Sequence, residues 1–433
     1  MTYAAVNLWG RSIGAVSWDK EKNLANFEYT PAFLKSGIQV APLMMPLSSH
    51  VYSFPAISRE TFYGLPGMLA DSLPDKFGNM LINKWLESEG RRVESFNPVE
   101  RLCYIGERGI GALEYEPSQG PKVSGAHSLH VDALVALASE ILTKQESFKT
   151  AFSESEKEQA MKDILRVGTS AGGARAKAII AWNPKTNEVR SGNIDIAEGF
   201  SYWILKFDGV KGNKDKDLED PEGYGLIEYA YHKMAAAAGI KMMECRILRE
   251  GGRSHFMTKR FDRNEAGKKI HMQSLCALAH YDYNQAGAYS YEQAMQVMRK
   301  LQMPMESLEE QYRRTAFNII ARNQDDHVKN IAFLMGKAGN WALSPAFDVT
   351  YSYNPSGGWT NRHQMSVNAK RDDFVKEDFI MFAKNAALKK TNAMDILEEV
   401  QNTVKKWKNF ADRCGVPKAI AQKIAKTHRT KIL

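Results

Sequence analysis

One stretch of the chain concentrates side chains that can bind a metal ion and move a proton. Residues 323–335 have the sequence NQDDHVKNIAFLM, and the first eight include two carboxylates, a histidine, a lysine and two asparagines. A carboxylate can accept the proton of an attacking hydroxyl, and carboxylate and amide oxygens are ligands that suit Mg²⁺. The stretch therefore has the residue types that phosphoryl transfer requires, although a solvated polar turn can have the same composition.

The spacing of these groups matches a pattern found in protein kinases. A kinase catalytic loop has an Asp and, five positions later, an Asn, and a metal-binding Asp follows beyond a hairpin. Asp325 and Asn330 have this spacing, and Asp348 lies after a predicted hairpin. The residues that follow Asp348 are Val349 and Thr350 rather than Phe-Gly, so we do not expect an ordinary eukaryotic-type kinase.

The apolar residues after this loop predict the elements that hold it. Residues 331–335 are typical of a strand, turn-forming residues 336–340 follow, and a second short strand is expected at residues 341–343. A polar loop, a hairpin and an acid between apolar neighbours therefore come in that order along the chain.

Two further charged groups are predicted on regular elements. Residues 201–207, SYWILKF, alternate as a strand that includes Lys206, and a lysine inside an apolar strand must find an anion unless it snorkels at a sheet edge. Glu228 begins a predicted helix that ends at Gly239, and it could pair with Lys206 as a helix glutamate does in kinases. A surface glutamate in a first helical turn is the alternative.

A glycine-rich segment precedes the strand predicted at residues 178–182. In residues 170–177, SAGGARAK, the small side chains could let backbone N–H groups approach phosphate groups. No Ser or Thr follows Lys177, so the segment is not a Walker A motif. A plain hairpin is the alternative interpretation.

The chain as a whole is predicted to be an α+β protein with two lobes. Strands prevail in the mixed N-terminal half and helices in the C-terminal half, which we expect to be all-helical apart from the short hairpin. The helices are expected at residues 291–300, 307–321, 376–386, 393–410 and 417–426. Nucleotide-type residues occur in both halves, so a cleft between the lobes is the expected place for the site.

Composition limits the class of protein. At 433 residues the chain can form two or three domains, and 44% hydrophobic residues indicate a globular fold. We expect a cytoplasmic protein without a membrane span, whose four cysteines are buried free thiols. The formal charge is +8, and much of the excess lies in residues 405–433. This basic segment indicates either a solvated helix face or a surface for polyanions.

Taken together, these motifs make the chain resemble the HipA family, the serine/threonine kinase toxins of bacterial HipBA toxin–antitoxin pairs. The N-terminal part resembles the coupling domain of the family through GLPGMLADSLPDKFG and ERLCYIGERGIGAL. The kinase part is similar through SAGGARAK, WILKF, KRFDR, NQDDHVKN and SPAFDVTYS. The resemblance covers most of the chain and implies a coupling domain at residues 1–118, a kinase N-lobe with the phosphate loop at 119–257 and a helical C-lobe with the catalytic loop at 258–433.

The resemblance implies roles for the charged residues described above. By motif, Asp325 corresponds to the catalytic base of the family. Asn330 and Asp348 correspond to its Mg²⁺ ligands. Lys206 corresponds to the lysine that binds the ATP phosphates, with Glu228 as its ion-pair partner.

The resemblance also implies contacts to the nucleotide. The phosphate loop of the family begins with a serine that becomes autophosphorylated, which leaves the pocket unable to bind ATP, and Ser170 matches it. Residues 257–261 correspond to the hinge that holds adenine by backbone groups. The other residues implied to contact ATP are Ala171, Gly172, Gly173, Ala174, Lys177, Lys259, Phe261, His327 and Lys329. The chain departs from the pattern at Arg175 and Ala176, where relatives often have Gln and Glu, and at Ala369, where they often have Gly.

The function implied by the resemblance is ATP- and Mg²⁺-dependent phosphorylation of a cytoplasmic protein. Glutamyl-tRNA synthetase is a known target in the family, and its inactivation stalls translation and favours persistence. A HipB-type antitoxin and, through the complex, operator DNA are the implied partners. Two other classes stay open: a kinase-fold co-repressor with little turnover, and a small-molecule kinase of similar shape.

Overall fold

The computed structural model describes residues 2–74, 76–121, 128–143, 154–168, 175–193, 198–212, 214–215, 218–219 and 223–433, with only the backbone at residues 154–157, 214–215 and 218–219. Within these residues the fold is α+β, as predicted. A mixed, strand-rich N-terminal half precedes a C-terminal half dominated by helices, which also contains one small sheet.

The N-terminal residues form an antiparallel sheet with the strand order β3-β2-β1-β4. Its strands are β1 (Thr2–Leu8), β2 (Arg11–Asp19), β3 (Leu24–Tyr29) and β4 (Leu113–Glu116). Trp9 and Gly10 connect β1 to β2 and have φ values of 51° and 76°. Positive φ at both positions is what a two-residue type I′ hairpin turn requires, so these two residues set the register of the sheet.

Short helices connect β3 to β4 around this sheet. They are α1 (Pro31–Leu34), α2 (Arg59–Phe62), α3 (Gly67–Ala70), α4 (Lys76–Ser88) and α5 (Pro98–Ile105). Helix α5 begins after Asn97, because the Asn97 side chain accepts hydrogen bonds from the N–H groups of Val99 and Glu100. The Glu100 carboxylate in turn accepts from the Asn97 N–H, which completes a capping box.

The next part of the chain forms a second antiparallel sheet, with the order β10-β11-β7-β5-β6. Its strands are β5 (Lys177–Trp182), β6 (Val189–Ser191), β7 (Ser201–Lys206), β10 (Cys245–Glu250) and β11 (Arg253–Lys259), and β8 (Lys214–Asp215) and β9 (Leu218–Glu219) form a separate pair. The helices here are α6 (Val131–Thr143), α7 (Glu154–Val167) and α8 (Tyr224–Ala237). Helix α8 begins four residues before the predicted Glu228, because Gly223 with φ of 86° makes the turn into it.

The C-terminal part consists of helices around a small antiparallel sheet with the order β12-β13-β14. The elements are β12 (His271–Ser274), α9 (Leu275–Ala279), α10 (Tyr291–Lys300), α11 (Met305–Ile320), β13 (Ala332–Met335), β14 (Trp341–Leu343), α12 (Lys376–Asn385), α13 (Lys390–Val404), α14 (Trp407–Arg413) and α15 (Lys418–Ala425). The single helix predicted at residues 393–410 is wrong, since α13 and α14 are separate. The chain breaks there to bury Trp407, whose indole N–H donates to the Ala421 carbonyl and whose ring lies 5.0 Å from that of Tyr231.

Hydrophobic packing crosses the segment limits that the resemblance implies. Phe77 and Leu81 of α4 pack into the core of the second sheet, together with residues of α6, α7 and β7. Tyr231 and Met234 of α8 belong instead to a core that includes the N-terminal sheet and the C-terminal helices. The limits 1–118, 119–257 and 258–433 therefore stay a prediction. Helix α4 packs on the segment that follows it, and α8 packs with the helices of the C-terminal segment.

Two expectations drawn from composition can be compared with the structure. The four cysteines are free thiols, three of them buried and Cys414 half-buried. In the part of the chain that the structure describes, no helix combines the length and the apolar character needed to cross a membrane.

Candidate active site

A cluster of charged side chains lies where β7 ends, beside α8. Lys206 Nζ lies 2.6 Å from Glu228 Oε1 and also contacts Asp348 Oδ1. The Lys206 side chain is 14% exposed and that of Glu228 only 3%, whereas that of Asp348 is 33% exposed. The lysine in the apolar strand thus has the anions that its burial requires, and the surface alternatives for Lys206 and Glu228 do not apply.

The charges in this cluster stabilise one another. Burial by itself lowers the pKa of Lys206, but the carboxylates of Asp348 and Glu228 outweigh it and hold that pKa above its ordinary value. Burial by itself raises the pKa of Asp348, but the cations of Lys206 and Lys177 hold it well below its ordinary value. The lysine is therefore protonated and Asp348 is ionised at neutral pH, so a cation and an anion lie side by side in the cluster.

The backbone of Asp348 adopts a left-handed conformation, with φ of 52°. Such a conformation is uncommon for a residue other than glycine, and it persists only where the surroundings enforce it. The Asn323 side-chain amide donates to the Asp348 carbonyl over 3.5 Å, and the Gln324 N–H donates to the Ser352 carbonyl over 3.0 Å. These bonds join the segment that carries Asp348 to the polar loop that begins at Asn323.

The polar loop itself is closed by the predicted pair of residues. The Asn330 side-chain amide donates to the Asp325 carbonyl over 2.8 Å, so the five-residue spacing shapes the loop. Residues 328–330 form a 3₁₀ turn directly before β13. The Asp325 carboxylate is 18% exposed, and its Oδ1 accepts a hydrogen bond from the Trp359 indole N–H over 2.6 Å. Nothing in the sequence linked Trp359 to this loop.

Asp326, the alternative base, lies in a different environment. Its side chain is 1% exposed. One carboxylate oxygen binds the Tyr291 hydroxyl and the His363 Nδ1, each at 2.7 Å, and the other accepts from the Gln364 N–H over 2.8 Å. Burial by itself raises the pKa of Asp326, but the His363 contact outweighs it and the net pKa lies below its ordinary value. A carboxylate whose oxygens are occupied and buried stabilises the loop and has no access to a substrate.

The other predicted loop residues lie beside Asp325. His327 Nε2 is 4.0 Å from Asp325 Oδ1, and its ring centroid is 5.5 Å from that of Tyr283. The Lys329 ammonium lies 5.2 Å from the centroid of the same tyrosine ring. Tyr283 follows α9, so this helix supports the face of the loop that carries His327 and Lys329.

The residues predicted at the hinge and the phosphate loop are described only in part. Lys177 is buried and is paired in register with Lys206, which brings it to the charged cluster. Lys259 ends β11 opposite Trp203 of β7. The Phe261 ring lies 5.5 Å from the ring of Phe347, next to Asp348. Ser170, Ala171, Gly172, Gly173 and Ala174 lie outside the described residues.

The donor set fits a hard divalent cation bound together with phosphate groups. Mg²⁺ takes oxygen ligands, usually one or two from the protein, and keeps waters and phosphate oxygens as the others. Asp348 supplies an ionised carboxylate, and Asn330 uses its amide nitrogen within the loop, which leaves its amide oxygen as the possible ligand. Among the described residues no three His, Cys, Asp or Glu side chains are grouped so that they could hold a metal by themselves.

Comparison with known proteins gives two family matches. Residues 4–116 match the profile described as HipA N-terminal domain, and residues 169–428 match the HipA-like C-terminal domain. A Haemophilus influenzae protein described as a candidate kinase is 22% identical over 260 residues, which cover 52% of this chain and 76% of that protein.

A solved structure shares the fold over nearly the whole chain. It is a chain in the Shewanella oneidensis complex of HipA, HipB and operator DNA, with a TM-score of 0.67 and 17% sequence identity. The match covers 98% of this chain and 94% of that chain. The predicted two-lobed, kinase-like α+β fold is thereby confirmed.

Proposed function

The chain belongs to the HipA family, and from that premise we propose that it is an ATP-dependent serine/threonine protein kinase, the toxin of a toxin–antitoxin pair. The cluster of Lys206, Glu228 and Asp348 is the observation that carries the proposal. A strand lysine held by a helix glutamate, next to an acid beyond a hairpin, is how kinases bind and orient nucleotide phosphates. Asp325 lies on the loop joined to this cluster, and its side chain is partly exposed to solvent.

In the proposed reaction the hydroxyl oxygen of an acceptor Ser or Thr forms a bond to the γ-phosphorus of ATP. The bond from that phosphorus to the β,γ-bridging oxygen breaks, ADP leaves, and Asp325 accepts the hydroxyl proton. Lys206 holds phosphate oxygens, and Glu228 keeps the Lys206 ammonium in place. Asn330 and Asp348 are the residues that would hold Mg²⁺, which neutralises phosphate charge when it is bound.

The proposed partners follow from the family. The Shewanella oneidensis structure contains HipA, HipB and operator DNA, and we expect a HipB-type antitoxin and operator DNA to bind this chain as well. The basic segment 405–433 is compatible with a contact to DNA. Glutamyl-tRNA synthetase is the first cytoplasmic substrate to test, because its phosphorylation would slow translation.

Autophosphorylation of Ser170 is a further part of the proposal, which the resemblance implies. A phosphate there would add about −1.5 to −2 charges, and a loop with that charge would not close over the ATP triphosphate. The test is to incubate the protein with Mg·ATP, map the phosphosites by mass spectrometry and measure ATP affinity before and after. Phosphate on other residues only, or full ATP affinity with Ser170 modified, would contradict this part.

The proposed function is tested with labelled ATP and a host lysate from which the protein has been removed. We expect the wild-type protein to label a protein band. Asp325→Ala should lower that rate by about 10²–10⁴ while ATP binding persists in calorimetry, because it removes the general base and no phosphate contact. Asp395→Ala, an exposed acid on α13, is the matched control and should retain wild-type activity.

Two results would overturn the proposed activity, and a third would contradict only the role of Asp325. Label in the metabolite pool alone would identify a small-molecule kinase. ATP binding without any transfer would favour the co-repressor. Equal labelling by wild-type protein and Asp325→Ala would place the catalytic base elsewhere.

A further inference from the structure

The indole of Trp359 touches the residue that we propose as the catalytic base. Its Nε1–H donates to Asp325 Oδ1 over 2.6 Å, although the two residues are 34 positions apart. On the basis of the proposed function, we infer that Trp359 is a positioning residue. Its N–H fixes one oxygen of the Asp325 carboxylate, so that the other oxygen faces the acceptor hydroxyl.

The Trp359 backbone is held to the same polar loop as Asp325. The Gln364 side-chain amide donates to the Trp359 carbonyl over 2.5 Å, and the Gln364 N–H donates to Asp326 Oδ1 over 2.8 Å. The next residue, Thr360, is 1% exposed. The indole is therefore carried by a segment that cannot move independently of the loop, which is what a positioning group requires.

The Asp325 carboxylate is held from two sides. The Asn330 side-chain amide binds its backbone carbonyl, and Trp359 binds its side chain. A bound backbone leaves χ1 and χ2 of the aspartate free to rotate, whereas a hydrogen bond to one carboxylate oxygen also fixes the direction of the other oxygen. Trp359 thus supplies the constraint that Asn330 cannot.

The geometry favours positioning over blocking of the site. An indole has a single N–H donor, and an ionised carboxylate can accept hydrogen bonds on both oxygens. Within the described part of the chain, Trp359 occupies Oδ1 and no donor is bonded to Asp325 Oδ2. Because the Asp325 side chain is 18% exposed, an acceptor hydroxyl can reach that second oxygen while the indole stays in place.

Trp359→Phe tests the inference, because it keeps an aromatic ring and the backbone contacts but removes the N–H. We expect the maximal rate of phosphoryl transfer to host-lysate protein to fall about tenfold, since a misdirected base is used less often. The KM for ATP should not change, because the hydrogen bond that the variant removes is made to Asp325 and not to a phosphate-binding residue. If Trp359→Phe were slower because part of the protein had unfolded, its affinity for ATP would fall together with the rate of transfer.

The matched control is Trp341→Phe. The Trp341 indole N–H also donates a hydrogen bond to a residue distant in sequence, the Gln39 carbonyl over 3.2 Å, but in a contact between β14 and the N-terminal domain. The same change of side chain there should leave the rate of transfer unchanged. A similar fall in both variants would attribute the effect to lost packing and overturn the inference.

A second measurement does not depend on activity. Among the indole N–H signals of the eight tryptophans in ¹⁵N-labelled wild-type protein, that of Trp359 should exchange slowly with solvent and should shift in Asp325→Ala. An unshifted signal would show that the contact is absent in solution and would overturn the inference.

The kinetic outcomes separate this inference from the proposed function. If Asp325→Ala abolishes transfer but Trp359→Phe transfers at the wild-type rate, the positioning role is wrong and the proposed function stands. A faster Trp359→Phe would show that the indole blocks the acceptor, which also overturns positioning. If Asp325→Ala transfers normally, the base assignment fails and the inference fails with it.

Discussion

The partly exposed acids of the candidate site and the fully buried acids differ in how their oxygens are occupied. Asp325 and Asp348 have side chains that are 18% and 33% exposed, and each is held through one oxygen, by Trp359 and by Lys206. Asp326 is 1% exposed and is hydrogen-bonded at both oxygens.

Asp262 resembles Asp326, because both of its carboxylate oxygens accept hydrogen bonds in the interior. Both of its oxygens bind the Arg260 guanidinium, at 2.8 and 2.6 Å, and one also accepts from Arg263 and from the Gly111 N–H, each over 2.8 Å. Four hydrogen bonds leave it no free acceptor for a ligand, and they tie the N-terminal domain to the segment after β11. The contrast teaches that a buried acid with both oxygens hydrogen-bonded supports the fold, whereas a partly exposed acid with one oxygen unoccupied is available for chemistry.

Removing a fully occupied acid should give the largest effect on stability. Asp326→Ala is expected to lower the free energy of unfolding by about 3–5 kcal/mol, because it leaves His363, Tyr291 and the Gln364 N–H without an acceptor in the interior. The shift of the urea midpoint measures this change. Asp395→Ala is the control, with less than about 0.5 kcal/mol expected. If Asp326→Ala lowers the free energy of unfolding by less than about 1 kcal/mol, the buried acid does not support the fold and the contrast with the partly exposed acids is wrong.

A change at a partly exposed acid of the candidate site should affect ligand binding rather than folding. Asp348→Asn keeps the shape of the side chain but removes its charge, so we expect Mg·ATP affinity to fall about 10–100-fold in calorimetry with a small change in the urea midpoint. Repeating the titration with ATP and EDTA separates the metal contact, since the difference from wild type should then shrink. Unchanged Mg·ATP affinity would contradict the role of Asp348.

One buried and one half-buried histidine extend the comparison to groups that must stay neutral. Burial lowers the pKa of His255 and of His280 to about 4, and each ring accepts a backbone N–H, from Asp208 over 2.9 Å and from Gly67 over 3.0 Å. A pKa depressed below the unfolded value of about 6.5 gives stability that is present above pH 6.5 and is lost as the pH falls toward 4. Each histidine should contribute a loss of about 2 kcal/mol by pH 5.

The urea midpoint measured between pH 7 and pH 5 checks this expectation. His255→Asn keeps an acceptor near the position of Nδ1 but does not titrate, so the midpoint of this variant should depend less steeply on pH. A midpoint that is flat between pH 7 and pH 5 in the wild-type protein would show that these rings do not stay neutral.

The smallest effect expected concerns backbone strain in a turn outside the charged cluster. Asp348 and Ala369 both have left-handed φ, 52° and 62°, but Ala369 is exposed in the turn that joins Val367 to Lys370. Ala369→Gly should therefore stabilise the protein by about 0.5–1 kcal/mol, since glycine adopts this conformation without strain. Ala236→Gly, on the exposed face of α8, should destabilise it by about 1 kcal/mol. Destabilisation by Ala369→Gly would show that the turn is not strained.

Local sequence determined much of the fold and the composition of the site. The Trp9-Gly10 turn, the Asn97 cap and the hairpin after the polar loop depend on residues a few positions apart, so their patterns are visible without tertiary structure. The five-residue spacing of Asp325 and Asn330 is local in the same way, because one side chain binds the carbonyl of the other. The apolar setting of Lys206 likewise indicated that an anion must be near.

Tertiary structure decided which of two adjacent aspartates is accessible. Asp326 is buried because Tyr291, 35 positions away, and His363, 37 positions away, bring donors to it. The Asp325 carboxylate accepts from the Trp359 indole and stays 18% exposed. The same long-range packing divided the predicted helix at residues 393–410 to bury Trp407. A buried charge is stabilised by whichever donors the fold brings to it, and donors that are tens of residues away leave no pattern in the local sequence.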